Sequence, residues 1–313
     1  MSPSCQVCRL DGIPVVLDLG LQPFGERLLE PYELGDPEPR QPLRLAFCPR
    51  CQILQRADPS AEGFPSPATS LGSPALIGET DSLDRFLSGL KNALEPQGAA
   101  VVSLHDAAEL ASPRLLEILQ PRQRLHLTVE NLQSQLHQHD LEAFQVEQCP
   151  ATTGLLRIFV GHRGAFPVGA SIAEKIQADT QQGLGTQAFW ETLGQRVATF
   201  RERLLSEIRQ IRGAGQRLCG YGASPCGSLV LNHCGLGRDG FDAIDFVLDP
   251  SPKAAGRITP GSHLAILPVA ELEKRFIKVV LLLDPGLEAD AQRQTECWQQ
   301  QGGRIFNPWV QPI

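Results

Sequence analysis

Cys5-x-x-Cys8 and Cys48-x-x-Cys51 are the residues of this chain best placed to do chemistry. Each pair has the knuckle spacing with which two thiolates grip one side of a tetrahedral zinc, and two pairs complete a four-sulfur set. Such a closed set leaves no position for a substrate, so the expected zinc is structural. Thirty-nine residues separate the knuckles, more than a compact zinc ribbon holds, and this insert must fold beside the metal. Disulfides are the competing reading; the paired spacing and the lack of a recognisable signal peptide weigh against them. The remaining cysteines, Cys149, Cys219, Cys226, Cys234 and Cys297, show no second metal spacing and read as small buried thiols.

A second constellation lies far along the chain. Gly220-Tyr221-Gly222 follows a strand pattern and precedes a helix pattern, so its amides and the helix start are placed to receive a phosphate or pyrophosphate. The third glycine of a dinucleotide fingerprint falls on Pro225, with Gly227 two positions late, which argues against NAD. Asp249, ending the next strand pattern, stands where a Rossmann-type domain meets a ribose hydroxyl. A tight turn needed only for packing is the competing reading. His126 is a lone histidine in a helix-prone stretch and reads as a surface or satisfied residue. His137 and His139 are two apart, share no helix face and make no metal pair. Trp309, near Pro308 and Pro312, reads as a packing anchor for the tail.

The elements that must position these groups follow from periodicity. Val15–Leu17 and Leu43–Phe47 read as strands, the second leading into the second knuckle, and 58–80 reads as a Pro/Gly/Ser-rich linker. Leu83, Phe86, Leu87, Leu90 and Leu94 predict a helix, followed by a strand over Ala99–Leu104, a helical stretch over Glu130–His139 and a hairpin of Phe144–Cys149 with Leu155–Val160. Phe189, Leu193, Val197, Phe200, Leu204, Ile208 and Ile211 form one continuous helical stripe. Beyond it, strands at Arg217–Gly220, Ala243–Leu248, Lys278–Leu283 and Arg304–Phe306 alternate with helices from about Cys226 and over Leu287–Gln301. The fold class is α/β: a zinc-binding module at 1–57, the linker at 58–80, a central region at 81–165, and a helix plus doubly wound, Rossmann-like domain at 166–313. The 313 residues, 42% hydrophobic and 20% charged, suit a soluble globular chain. Net charge −7 with pI ≈ 5.6, and no interleaving of basic and aromatic residues, argue against nucleic acid. The longest apolar run, Val279–Leu283, is too short for a membrane span, and a cytoplasmic protein is expected.

In this order the features resemble the sugar C-methyltransferase family, which methylates nucleotide-linked deoxysugars with S-adenosylmethionine. Three blocks carry the resemblance: the first knuckle with VLDLGLQPFGERLL and QPLRLAFCPRCQILQ; FLSGLKNALEPQGAAVVS with DLEAFQVEQ and TTGLLRIFVGHRG; and GYGASPCGSLVLNHCGLG with VLDPSPKAAGRITPGSHLAIL and GGRIFNP. The resemblance implies a zinc module, a class I methyltransferase-like middle and a Rossmann-like C-terminal domain. It also implies an acidic, glycine-rich loop after the first central strand to cradle the cofactor, yet about thirty residues stand between Gln55 and Phe86 where roughly a hundred are needed. The middle region is therefore expected to be truncated, and S-adenosylmethionine is not an expected cofactor. The family's Tyr-His-Glu-His run, counted back from Asp140-Leu141-Glu142-Ala143-Phe144, falls on Gln120, Pro121, Arg122 and Gln123, none of them a base, so no catalytic residue is assigned. The resemblance places Gly220, Tyr221, Gly222, Ser224, Asn232, Lys253, Arg257 and His263 on the side of a TDP-type nucleotide sugar. The leading expectation is a degenerate, zinc-stabilised family member that holds a nucleotide sugar or pairs with a complete enzyme. The alternatives are an active enzyme using a partner's cofactor site, and a structural subunit.

Overall fold

The computed structural model describes residues 2–58, 75–119, 122–149 and 154–310. The chain divides into two compact units, each discontinuous in sequence. The first takes Met1–Asp18, Leu43–Ala111 and Arg122–Gly194; the second takes Leu19–Pro42, Ser112–Pro121 and Gln195–Ile313. The linear division at 57, 80 and 165 does not follow these units, because the middle of the insert between the knuckles belongs with the C-terminal strands.

One sheet runs β1 (Val15–Pro23), β2 (Arg40–Cys48), β3 (Ile53–Arg56) and β6 (Leu125–His126) in that order. β2 and β3 form an antiparallel hairpin that pairs Cys48 with Ile53, so the second knuckle is the hairpin's own turn. A second sheet has the order β4-β5-β8-β7, built from β4 (Ala75–Leu76), β5 (Ala99–His105), β7 (Leu141–Gln148) and β8 (Leu155–His162). β4 runs parallel to β5, whereas β8 is antiparallel to both its neighbours. Helix α1 (Leu83–Ala93) starts at Ser82, whose hydroxyl accepts the Arg85 amide, and buries Leu83 and Leu87. Helix α3 (Val129–Gln138) starts at Thr128 in the same manner and adds Leu132 and Leu136 to that core, with Leu104, Ile158 and Ile172. Helices α4 (Ala170–Gln182) and α5 (Gln187–Glu191) complete the unit.

The second unit holds a five-stranded sheet, wholly parallel, of order β11-β10-β9-β12-β13. Its strands are β9 (Leu218–Tyr221), β10 (Val247–Asp249), β11 (Ile266–Pro268), β12 (Val279–Leu282) and β13 (Arg304–Phe306). In chain order this is 3-2-1-4-5, the doubly wound arrangement that reverses between β9 and β12. The short α2 (Leu115–Ile118) belongs here, with α6 (Leu193–Gly213), α7 (Pro225–Cys234), α8 (Glu288–Gln294) and α9 (Glu296–Gln300). The α6 stripe is buried from Leu193 to Ile211, and Trp309 anchors the tail as expected: its indole donates to Leu282 O at 2.9 Å and its ring lies 5.0 Å from Phe200.

Several expectations are corrected. Of the linker expected at 58–80, 59–74 lies outside the described residues, whereas Ala75–Glu79 forms β4 and a 3-10 turn with Ile77 fully buried. The long stripe from Phe189 is two helices, parted at Thr192, whose hydroxyl donates back to Phe189 O at 2.7 Å. The helix over 287–301 is likewise parted at Thr295, which donates to Ala291 O at 2.8 Å. His126 sits in β6, not in a helix, and is buried. Cys219, Cys226 and Cys234 are buried thiols, whereas Cys149 is half-buried and Cys297 exposed. Helix α4 was not expected at all, since its apolar residues are too sparse to make a stripe.

Candidate metal centre and ligand cleft

The cysteine pairs converge in the first unit. Cys5 Sγ lies 3.5 Å from Cys51 Sγ, Cys8 Sγ lies 3.5 Å from Cys48 Sγ and 3.8 Å from Cys51 Sγ, and all four sulfurs fall within 4.8 Å of one another. Four thiolates around one zinc at a bond length near 2.3 Å stand about 3.8 Å apart, so the residues fit the metal. The knuckles repeat one backbone design. Arg9 N donates to Cys5 O and Gln52 N to Cys48 O, and both Arg9 (φ +61°) and Gln52 (φ +56°) adopt the left-handed conformation directly after the second cysteine of their pair. That turn brings both thiols of a pair to one side.

Gln55, on β3, supports the cluster from behind. Its Nε2 donates to Cys5 Sγ at 3.2 Å while its Oε1 accepts the Gln6 amide at 2.7 Å, and the Cys8 amide also points at Cys5 Sγ. These contacts lower the Cys5 thiol to about 4, the hydrogen bond from Cys51 contributing most; Cys51 is raised in turn, first by that same bond and then by burial. Burial raises Cys48 as well, so it is Cys5 that is held towards thiolate, the form a metal takes.

Further polar groups lie inside the same unit. Burial pushes the His126 imidazole down to about 3, with His105 adding to the effect, and neither ring nitrogen has a partner among the described residues. Lys175 Nζ sits between Asp106 (2.8 Å) and Asp179 (2.6 Å), all three largely buried. Gln123 donates to Leu125 O and Arg122 pairs with Glu79, so both serve the local structure; Gln120 and Pro121 lie outside the described residues. His137 lies 3.4 Å from Glu142 and His139 lies 3.4 Å from Asp84.

In the parallel-sheet unit, an open cleft of about 430 Å³ lies at the carboxyl ends of β9 and β10. Ser224, Lys253 and Arg257, all singled out in sequence, line it with Asp249, Ser251, Glu26 and Leu28. The other candidates lie elsewhere. Asn232 donates to Ser228 O and Pro260 O, and His263 Nε2 lies 3.2 Å from Glu38 Oε2. Tyr221 is buried and donates to Asp290 at 2.6 Å. A Cβ on Gly220 would come within 2.5 Å of Leu283 Cδ1. On Gly222, at φ +104°, it would meet Leu287 and Asp284, the residues that follow β12 at the reversal point. Glu26 and Leu28 were missed: their run sits between the knuckles, almost two hundred residues from Ser224, and nothing in its pattern announces the meeting.

The amides of the glycine turn are largely engaged already. Gly222 N donates to Leu248 O at 2.8 Å, Ala223 N to Asp249 Oδ2 at 2.8 Å and Gly227 N to Ser224 Oγ at 3.1 Å. Asp249 also accepts from Ser251 N. The positive side of the cleft therefore comes from Lys253 and Arg257, the latter 3.0 Å from Glu30, and its acceptors are the carboxylates of Asp249 and Glu26.

Comparison with known proteins finds matches at both ends of the chain. A family model described as "C-methyltransferase C-terminal domain" matches residues 150–309, about half of the chain. Another, described as "Putative zinc binding domain", matches residues 5–61. The C-methyltransferase NovU of Streptomyces niveus is 23% identical over 231 residues, which cover 74% of this chain and 54% of NovU. The chain thus spans about half the length of that relative. No helix among the described residues is long and apolar enough to cross a membrane.

Proposed function

Because the chain belongs to the sugar C-methyltransferase family, we propose that it is a zinc-stabilised member that holds a TDP-type nucleotide sugar and does not itself transfer a methyl group. The observation that carries this is the cleft, which is lined by two cations, Lys253 and Arg257, and by the carboxylates of Asp249 and Glu26. A molecule with a pyrophosphate and free sugar hydroxyls answers both sides, and a charge-assisted contact contributes about 1.5–3 kcal/mol. Zinc fits the four thiols and would supply only structure there, since the protein's own sulfurs fill a tetrahedral shell. For methyl transfer, this chain's residues offer no base on the aligned catalytic run, and Gln55 to Phe86 is too short for a cofactor-cradling strand, loop and helix. A complete methyltransferase acting on the held sugar is the partner this reading calls for.

The experiment is thermal shift with TDP. Wild type should be stabilised, and Lys253→Glu should lose most of the shift. No shift at millimolar TDP would remove the nucleotide-sugar reading; an equal shift in the variant would place the ligand elsewhere. The engaged amides of the glycine turn favour a second reading, an interaction subunit in which that turn serves packing alone, and the first of these outcomes selects it.

A further inference from the structure

The segment between the knuckles leaves on β1, returns on β2, and in its middle belongs to the parallel-sheet unit. Its attachments there are specific. Leu29 and Ile258 exchange both backbone hydrogen bonds at 2.9 Å; Glu30 pairs with Arg257 at 3.0 Å; Glu38 accepts the Gly261 amide at 2.9 Å. At Gly25 the segment runs so close to α7 that a Cβ would sit 3.1 Å from Pro225 Cα. This docking is what places Glu26 and Leu28 in the wall of the cleft. Both ends of the same segment are anchored by the cysteine cluster: β1 begins seven residues after Cys8, β2 ends on Cys48, and Phe47 N donates to Pro14 O at 3.0 Å.

We propose that zinc at Cys5, Cys8, Cys48 and Cys51 controls whether the Leu19–Pro42 segment stays docked, and so whether the cleft keeps its Glu26–Leu28 wall. The physical cause is loop closure. The metal ties the two knuckles together around the 39 intervening residues, and without that tie the undocked segment gains conformational freedom that its attachments must then oppose. A metal with no chemistry of its own thereby sets the ligand affinity of a cleft built on other elements. The affinity part rests on the nucleotide-sugar reading; the docking part does not.

Hydrogen exchange on the full chain, zinc-loaded and chelator-stripped, tests this. Stripping should cost the Leu29, Ile258 and Gly261 amides about tenfold or more in protection, while the β9 and β12 amides keep theirs. Unchanged protection at Leu29 and Ile258 would overturn the proposal. So would collapse of protection throughout β9 and β12, because zinc would then hold the whole fold and not this segment. TDP titration of both forms supplies the second readout, with affinity about tenfold weaker expected after stripping. If TDP fails to bind even the zinc-loaded chain, the nucleotide-sugar reading falls while the exchange result still decides the docking.

Discussion

Gln55 touches the cysteine cluster with one end of its amide and the Gln6 backbone with the other, so it fixes where the first knuckle sits before any metal arrives. Outer-shell partners of this kind typically change metal affinity 10–100-fold. Gln55→Leu should lower zinc affinity by roughly that factor, read by competition with a chromophoric chelator; an unchanged affinity would make the contact incidental. His126 presents the opposite situation, a titratable ring buried with no partner among the described residues. Its folded form is held neutral, with the titration pushed down to about 3 by burial, whereas an unfolded histidine titrates near 6.5. Below pH ~6.5 the unfolded chain therefore binds a proton that the folded chain refuses. Stability falls as pH drops from there towards 3, by about 1.4 kcal/mol per pH unit from this group. His126→Leu should flatten that slope while leaving stability near pH 7 unchanged or improved, since two orphaned ring nitrogens disappear. Urea unfolding at pH 7 and pH 5 measures both.

The turn joining β9 to α7 shows how tightly backbone can be required to approach backbone. A Cβ on Gly227 would lie 2.2 Å from Gly222 O, so the loop or the helix start must move to admit it. Gly227→Ala should cost about 1–3 kcal/mol in unfolding free energy. Gly35→Ala, where a Cβ meets nothing within 4 Å, serves as the control. Sequence pattern reached four of the five strands of this sheet because buried parallel strands read as short apolar runs, as Val279–Leu283 does; it missed β11, whose three residues end on Pro268 and are only partly buried. It reached the thiol cluster because ligand spacing is local. Helix interruptions escaped it, since a hydroxyl bonding back at Thr192 or Thr295 leaves the apolar stripe unbroken in the sequence. Two-residue strands such as β4 and β6 escaped it too, being fixed by their neighbours: Leu76 by Ser103 on β5 and His126 by Leu54 on β3. The cleft was half legible. Ser224, Lys253 and Arg257 came from the family resemblance, while Glu26 and Leu28 depend on a docking that only three dimensions display.

The parallel-sheet unit takes its wall from a segment whose two ends are held in the other unit, so the family's order of modules along the chain is not the order of its compact bodies. The chain covers 54% of NovU, and the proposed reading puts its departures from the family in the catalytic run expected at 120–123 and in the short stretch from Gln55 to Phe86. On the proposed reading, a chain that keeps the zinc knuckles and the C-terminal domain holds a sugar substrate and does not methylate it. Calorimetric titration of the zinc-loaded chain with TDP and with S-adenosylmethionine, run side by side, tests this most directly. Saturable TDP binding with no S-adenosylmethionine binding tighter than about 100 μM, roughly 5.5 kcal/mol, is the result expected. Saturable S-adenosylmethionine binding below that concentration, or methyl transfer to a TDP-sugar by the isolated chain, would contradict it.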